Sequence, residues 1–369
     1  MEPALEHSGS LAARVRHAST TARQRFDTNE MGLQTDSALQ MIGEAGGSAY
    51  SSESRTPIRQ LSSRWDEGRS MKANAIHGLE LADLVKRRTI IAVAGDDFLM
   101  ERLVFKGGNA LVYIHGITGR GSYDLDFSME GEFEDIELLK VAMSRALRAS
   151  FAEVSLIPFD LNVEFKPSGI SDDMKTFWGG YAVEFKLITS VKHQEFQGDL
   201  ELIRRNALTI GPSGSGTKFQ IDISLHEYCG GQQRVLFENY ALAVYSPMAI
   251  VCEKLRAICQ QMPEYGPIVK RSQTRQGRAA DFLDICAVLD RFAIDIRSDS
   301  FLVQLKRTFE AKKVPLQFLD LVESTYSMQE VDFERVRATV AQPEKLETFA
   351  AYFQRIVALC SDLKSLWDK

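Results

Sequence analysis

Two short segments, Lys106-Gly-Gly-Asn-Ala-Leu111 and Arg120-Gly-Ser-Tyr-Asp-Leu-Asp126, carry residue types that bind phosphate and divalent cations. In the first, Gly107 and Gly108 leave room for backbone N–H groups to approach an anion, because no side chain blocks the way. A helix starting at Ala110 and running to Ile114 would turn its N-terminus toward that anion. In the second, a strand entered at Asp124 puts Asp124 and Asp126 on one face, with Leu125 and Phe127 on the other. Like charges two residues apart on one strand face repel. They make sense when a cation holds them, and Mg²⁺ prefers carboxylates together with substrate phosphates. Two-metal chemistry asks for a third carboxylate, and Asp222, in Phe219-Gln-Ile-Asp-Ile-Ser224, is the best candidate. An acid flanked by isoleucines on a strand needs a metal or a charge partner if it is buried. An acid on the polar face of an amphipathic strand is the competing reading.

Further along, Lys254 lies beside the apolar stripe of a helix, where it could bring positive charge to phosphates or act as a snorkelling surface lysine. Arg278, Asp281 and Asp284 follow at i, i+3 and i+6, roughly one helix face, so a structural ion pair and a role in the site are both open. Between these helices, Lys270-Arg-Ser-Gln-Thr-Arg-Gln-Gly-Arg278 has four cations and no acids, and is either a solvated loop or a contact for triphosphate or an RNA backbone. Gly211-Pro-Ser-Gly-Ser-Gly-Thr-Lys218 imitates a P-loop but has Thr217 where the lysine must stand and leads into a strand, so it predicts a hairpin turn. His115 and His226 lack metal-ligand spacing and read as packing or surface residues.

The elements that must position these residues fall into three stretches. Residues 1–72, rich in Ser, Thr, Gly, Arg and Gln, predict a flexible segment with at most a short helix around Leu11 to Phe26. From Ala73 helical spacing begins (Leu79, Leu81, Leu84, Val85), and Phe98, Leu99, Leu103 and Val104 carry the apolar signal to the first motif. Val154-Ser-Leu-Ile, Leu161-Asn-Val-Glu-Phe, Tyr181 to Ile188 and Phe219 to Ser224 read as strands. After Tyr245 the chain turns helical, with Ser246 as N-cap and Pro247 in the first turn of a helix over Met248–Met262, and a second helix over Ala279–Phe292. The expected organisation is a catalytic region over 73–244 and a helical region over 245–369 that completes the site.

The bulk composition narrows the setting. A chain of 369 residues with 44% hydrophobic and 25% charged residues is ordinary for a soluble globular protein. Its net charge of −6 argues against coating nucleic acid through a broad basic surface, and leaves a local basic patch open. No apolar stretch approaches the ~20 residues that span a bilayer. The N-terminus shows no secretory signal. The five cysteines are odd in number and contain no CxxC pair, which argues against a zinc site or disulfide framework. The expected compartment is the cytoplasm.

Lys-Gly-Gly-x-Ala-Leu, Arg-x-Ser-x-Asp-Leu-Asp-Phe, Cys252-Glu-Lys-Leu-Arg-Ala257 and Arg278-Ala-Ala-Asp-Phe-Leu-Asp284, in this order, resemble the AbiEii-like (MenT-type) nucleotidyltransferase toxins of the DNA polymerase beta-like superfamily. Together they cover about Leu103 to Leu289. The resemblance implies an α+β fold, with a mixed sheet and helices followed by an all-helical C-terminal region. It implies Mg²⁺ or Mn²⁺ as cofactor, Asp124 and Asp126 as metal ligands and, at superfamily level, Asp222 as the third. Lys106, Gly107, Gly108, Asn109, Arg120 and Ser122 would form the nucleotide-binding set, Lys254 would contact the triphosphate, and Asp281 would be the acid that closes the site. Asn109 stands where the family usually has Thr or Ser, and retains a donor and an acceptor for phosphate. The implied activity is NMP transfer from an NTP to an acceptor, an RNA or tRNA 3′ end. The implied role is a toxin or phage-defence effector with a cognate antitoxin protein as partner. A protein or small-molecule acceptor, and a decayed nucleotide-binding protein, remain open on sequence alone.

Overall fold

The computed structural model describes residues 78–117, 124–210, 216–270, 276–340 and 342–364, all within one compact unit that spans Arg59–Lys369. The segment 1–72, with the helix expected around Leu11 to Phe26, lies outside the described residues, as do Arg120 and Ser122.

Seven strands form one mixed sheet: β1 Val104–Lys106, β2 Leu125–Ser128, β3 Leu156–Lys166, β4 Gly180–Thr189, β5 Phe219–Ser224, β6 Gln232–Phe237 and β7 Tyr240–Tyr245. Their order is β3-β4-β5-β2-β1-β7-β6. β2 runs parallel to β5 and β1 parallel to β7, while the other neighbours are antiparallel. Strand alternation gives the central strands two unlike faces. In β5, Phe219, Ile221 and Ile223 are buried while Gln220, Asp222 and Ser224 are half-buried. Phe105, Leu125, Phe127 and Val183 join the isoleucines on the apolar face. That face is covered by helix α1, Gly78–Ala94, and by α4, Ile136–Ala152, which contributes Leu139, Met143, Leu147 and Phe151 at i, i+4, i+8 and i+12. Between them in sequence lie α2, Asp97–Met100, and α3, Gly107–Tyr113.

The polar face of the sheet looks toward the later helices: α8 Pro247–Cys259, α9 Ala279–Arg291, α10 Asp299–Ala311, α11 Tyr326–Arg337 and α12 Phe349–Lys364. They form a second apolar core around Leu255, Phe282, Phe301, Phe309 and Phe353, reached by the sheet through Val104, Ala243 and Tyr245. Short helices α5 Asp172–Lys175, α6 Ser190–Glu195 and α7 Leu200–Arg205 fill the connections around β4. The architecture is the mixed α+β sheet followed by helices that the sequence predicts.

Several local expectations change. The two strands expected at Val154 and Leu161 are one strand, β3, interrupted by a register shift between Phe159 and Asn162 where Asp160 takes a φ of 49°. The approach to Gly107 is strand β1, not the end of a helix, and α3 begins at Gly107 itself instead of Ala110. The β6–β7 hairpin sits in a stretch whose apolar run from Tyr240 hides its alternation. The Gly211–Lys218 segment lies partly outside the described residues, and α6 and α7 separate its strand, β5, from the antiparallel neighbour β4, so it is not a hairpin turn. Ser246 caps α8 as predicted, accepting from the Ala249 N–H at 3.2 Å with Pro247 in the first turn. Among the described residues, no helix is long and apolar enough to cross a membrane.

Candidate active site

Three neighbouring strands bring the key charges into a row. Lys106 of β1 lies opposite Asp126 of β2, and Asp126 lies opposite Asp222 of β5. Opposed residues share a face, so all three side chains leave the sheet on its polar side, and neighbouring strands are only ~4.8 Å apart. Asp124, two residues before Asp126, joins the same face. All three aspartates are half-buried.

Burial pushes the Asp126 carboxyl up to about 6, with Lys106 opposing and the charges of Asp222 and Glu253 adding to the rise. Burial also raises Asp124, and the neighbouring Asp222 charge adds to it. Negative charge is therefore concentrated beyond what the protein neutralises, a condition typical of functional sites.

Gly107 closes one side of this group. Its φ is +76°, and a Cβ there would stand 2.4 Å from Asp126 Oδ2. Only glycine combines this backbone with so close an approach to the carboxylate. Asn109, expected to contact phosphate, is instead buried, and its side-chain amide donates to the Asp124 carbonyl oxygen at 2.6 Å. It positions the entry to β2.

The site opens into a cavity of about 420 Å³ between the sheet and helices α8 and α9, lined by Gly107, Gly108, Asp126, Asp222, Lys254 and Arg278 among others. Asp281 also lines it, but both sequence-predicted residues Lys254 and Asp281 are committed to each other. Lys254 Nζ donates to Asp281 Oδ1 at 2.7 Å and lies 2.8 Å from Asp284 Oδ2. Arg278 Nε donates to Asp281 as well. Burial would raise the Asp281 carboxyl, yet Arg278 and Lys254 hold it well below its usual range. These charges lock α8 to α9 and aim the half-buried Arg278 into the cavity. Gln329 and Asp332 of α11 fix the start of α9 by accepting from the Arg278 and Ala279 N–H groups at 2.6 and 3.0 Å.

Beneath the row lies a buried network that sequence reasoning missed. Lys106 Nζ donates to Ser224 Oγ at 3.0 Å and stands 3.7 Å from Glu227 and 3.6 Å from Glu253. Glu227 also faces Arg256 at 3.2 Å and Lys312 at 3.5 Å. Burial by itself would raise Glu227, but Arg256, Lys312 and Lys106 bring it down to about 2. Burial lowers Lys312 to about 8, with Glu227 opposing. The one sequence signal was on α8, where Glu253, Arg256 and Gln260 recur at i, i+3 and i+7 as a polar stripe facing the sheet. Glu227 and Lys312 come from segments distant in sequence and carried no signal.

The donor set suits a hard divalent cation. Asp126 and Asp222 are adjacent across β2 and β5, with Asp124 beside them, and oxygen donors of this kind bind Mg²⁺ or Mn²⁺. Among the described residues, no three or more acids, histidines or cysteines form a ready-made cage, so the set would close only with substrate oxygens or water. His115 is a packing residue, as expected, with Nε2 2.8 Å from the Tyr245 carbonyl and its ring edge-on to Phe292. The five cysteines are buried and unbonded. Of the basic loop, Lys270 pairs with Asp173 at 2.5 Å, and residues 271–275 lie outside the described residues.

A family model described as nucleotidyl transferase AbiEii toxin, type IV toxin–antitoxin system, matches residues 90–362. Among solved structures, a proposed nucleotidyltransferase from Helicobacter pylori is 13% identical, covering 78% of this chain and 95% of its own, with a TM-score of 0.39. The JHP933 protein of Helicobacter pylori is 13% identical, covering 80% and 94%, with a TM-score of 0.37. No curated protein matches.

Proposed function

We propose that this chain, which belongs to the AbiEii nucleotidyl transferase toxin family, moves a nucleoside monophosphate from an NTP to the 3′ end of an RNA such as a tRNA. The family makes it a nucleotidyltransferase and implies an NTP substrate and an antitoxin partner. The acceptor, the metal dependence and a role in arresting growth during phage attack are our reading.

The observation that carries it is the register that sets Asp126 beside Asp222, with Gly107 held against Asp126. Asp124, Asp126 and Asp222 would hold Mg²⁺ or Mn²⁺, which when bound neutralises phosphate charge and favours attack at phosphorus. The chain's own residues supply the rest. The Gly107–Gly108 turn lets backbone N–H groups reach the phosphates. Arg278, aimed into the cavity, and Lys254 behind it add positive potential at the triphosphate. The acceptor hydroxyl attacks the α-phosphorus in line. A new P–O bond forms, the bond to the β-phosphate breaks, pyrophosphate leaves, and Asp222 takes the hydroxyl proton.

Incubation with α-labelled NTPs, Mg²⁺ and either total RNA or a protein extract separates the acceptors. Label in RNA, lost after 3′-end blocking by periodate, is the expected result. Label confined to protein would contradict the RNA acceptor and leave nucleotidyl transfer intact.

A further inference from the structure

We infer that Trp178 is the platform on which the nucleobase of the incoming NTP stacks, an inference that rests on reading the cavity as a nucleotidyl-transfer site. Trp178 is half-buried and forms part of the cavity wall, on the sheet side away from Gly107. It stands just before β4, in which Gly180 lies opposite Ser224 and Ala182 opposite Asp222. Four residues therefore separate Trp178 from the register of the carboxylate row, at most ~13 Å of extended chain. That matches the reach from an α-phosphate through a ribose to its base.

The local chain is built to hold the ring there. The Trp178 N–H donates to the Met174 carbonyl at 2.8 Å, closing the turn of α5. Met174 and Phe177, 3% and 5% exposed, anchor that turn in the helical core, and Lys313 Nζ sits 4.0 Å from the Phe177 ring centroid. The two residues after Trp178 must be glycine. Gly179 has a φ of +138° and a Cβ there would stand 2.5 Å from the Phe165 ring. A Cβ on Gly180 would stand 2.5 Å from the Ile223 carbonyl oxygen. Close passage of the chain over Phe165 and β5 thus fixes where the indole emerges. The other lining aromatic, Tyr181, is only 5% exposed and packs against Phe133 and Phe165. Across the cavity α8 presents the small Ala257, which leaves room for a flat ring, and Lys166, opposite Gly180 on β3, brings an exposed ammonium to the same wall. An indole face accepts any base, because every base has a π-face, and such stacking is worth roughly tenfold or more in affinity.

The test uses the full-length protein, a non-transferable α,β-methylene NTP and inorganic tripolyphosphate, each with Mg²⁺. Wild type should show quenching of tryptophan fluorescence by the nucleotide, and W178F should lose that quenching, although Trp65 and Trp367 remain. By calorimetry, W178A should bind the nucleotide about tenfold more weakly, W178F less than ~3-fold more weakly. All three proteins should bind tripolyphosphate equally, which also shows that the site of W178A is intact. Unchanged nucleotide affinity in W178A, with tripolyphosphate still bound, would overturn the platform and leave nucleotidyl transfer standing. Failure of wild type to bind either probe would overturn both.

Discussion

At the scale of residues, Asp126 is where function and stability pull apart. Its carboxyl is raised to about 6, mainly by burial, so its charge opposes folding at neutral pH. For an acid whose folded pKa is raised, that penalty is full above about 6 and disappears as pH falls toward the ordinary value of 3.8. Asp126→Asn should therefore raise the melting temperature at pH 7.5 in metal-free buffer, with a smaller gain at pH 5, while transfer falls by ~10³-fold. A drop in melting temperature at pH 7.5 would sink this account of the site's charge. Gly107→Ala places a methyl into Asp126 on a backbone that disfavours side chains. Steady-state kinetics should show kcat lowered by about tenfold or more with circular dichroism unchanged. The two aspartates of β2 and Asp222 were legible in the sequence because acids interrupting an apolar strand pattern stand out. The role of Asn109 was not, since its bond to the Asp124 carbonyl depends on how the helix after Gly107 packs on β2.

The elements are held in place by buried charge as much as by apolar packing. Glu227 ties β1, α8 and the start of the segment after α10 together through Lys106, Arg256 and Lys312. Removing its charge leaves three buried cations without it, so Glu227→Gln should cost about 3–5 kcal/mol in urea unfolding at pH 7. Its folded pKa, brought down to about 2, lies below the unfolded one. The stability it contributes is present above the unfolded pKa and is lost as pH falls from ~4.3 toward 2. An acid-unfolding midpoint that does not differ between wild type and Glu227→Gln would contradict the network. Ser246→Ala should cost about 1 kcal/mol through loss of the α8 cap. This cap was legible because Ser-Pro before a helical run is a local signal. The Glu227 network was not, because its members are distant in sequence and meet only when α8 and α10 fold onto the sheet.

For the whole molecule, the chemistry belongs to the cavity between the polar face of the sheet and the helices that follow it. The mixed sheet and the later helices were readable from periodicity, whereas β1, β6 and β7 were masked by short length or by an unbroken apolar run. The pairing of Lys254 with Asp281 and Asp284 shows why two of the ordered motifs recur together: they join the helices that cover the sheet. The central claim is nucleotidyl transfer, and parallel reactions with α-labelled and γ-labelled NTP, Mg²⁺ and RNA test it most directly. Wild type should attach the α-label to RNA and release the γ-label as pyrophosphate, and Asp126→Asn should do neither. Transfer of the γ-label to the acceptor, or α-label incorporation that survives in Asp126→Asn, would contradict the account.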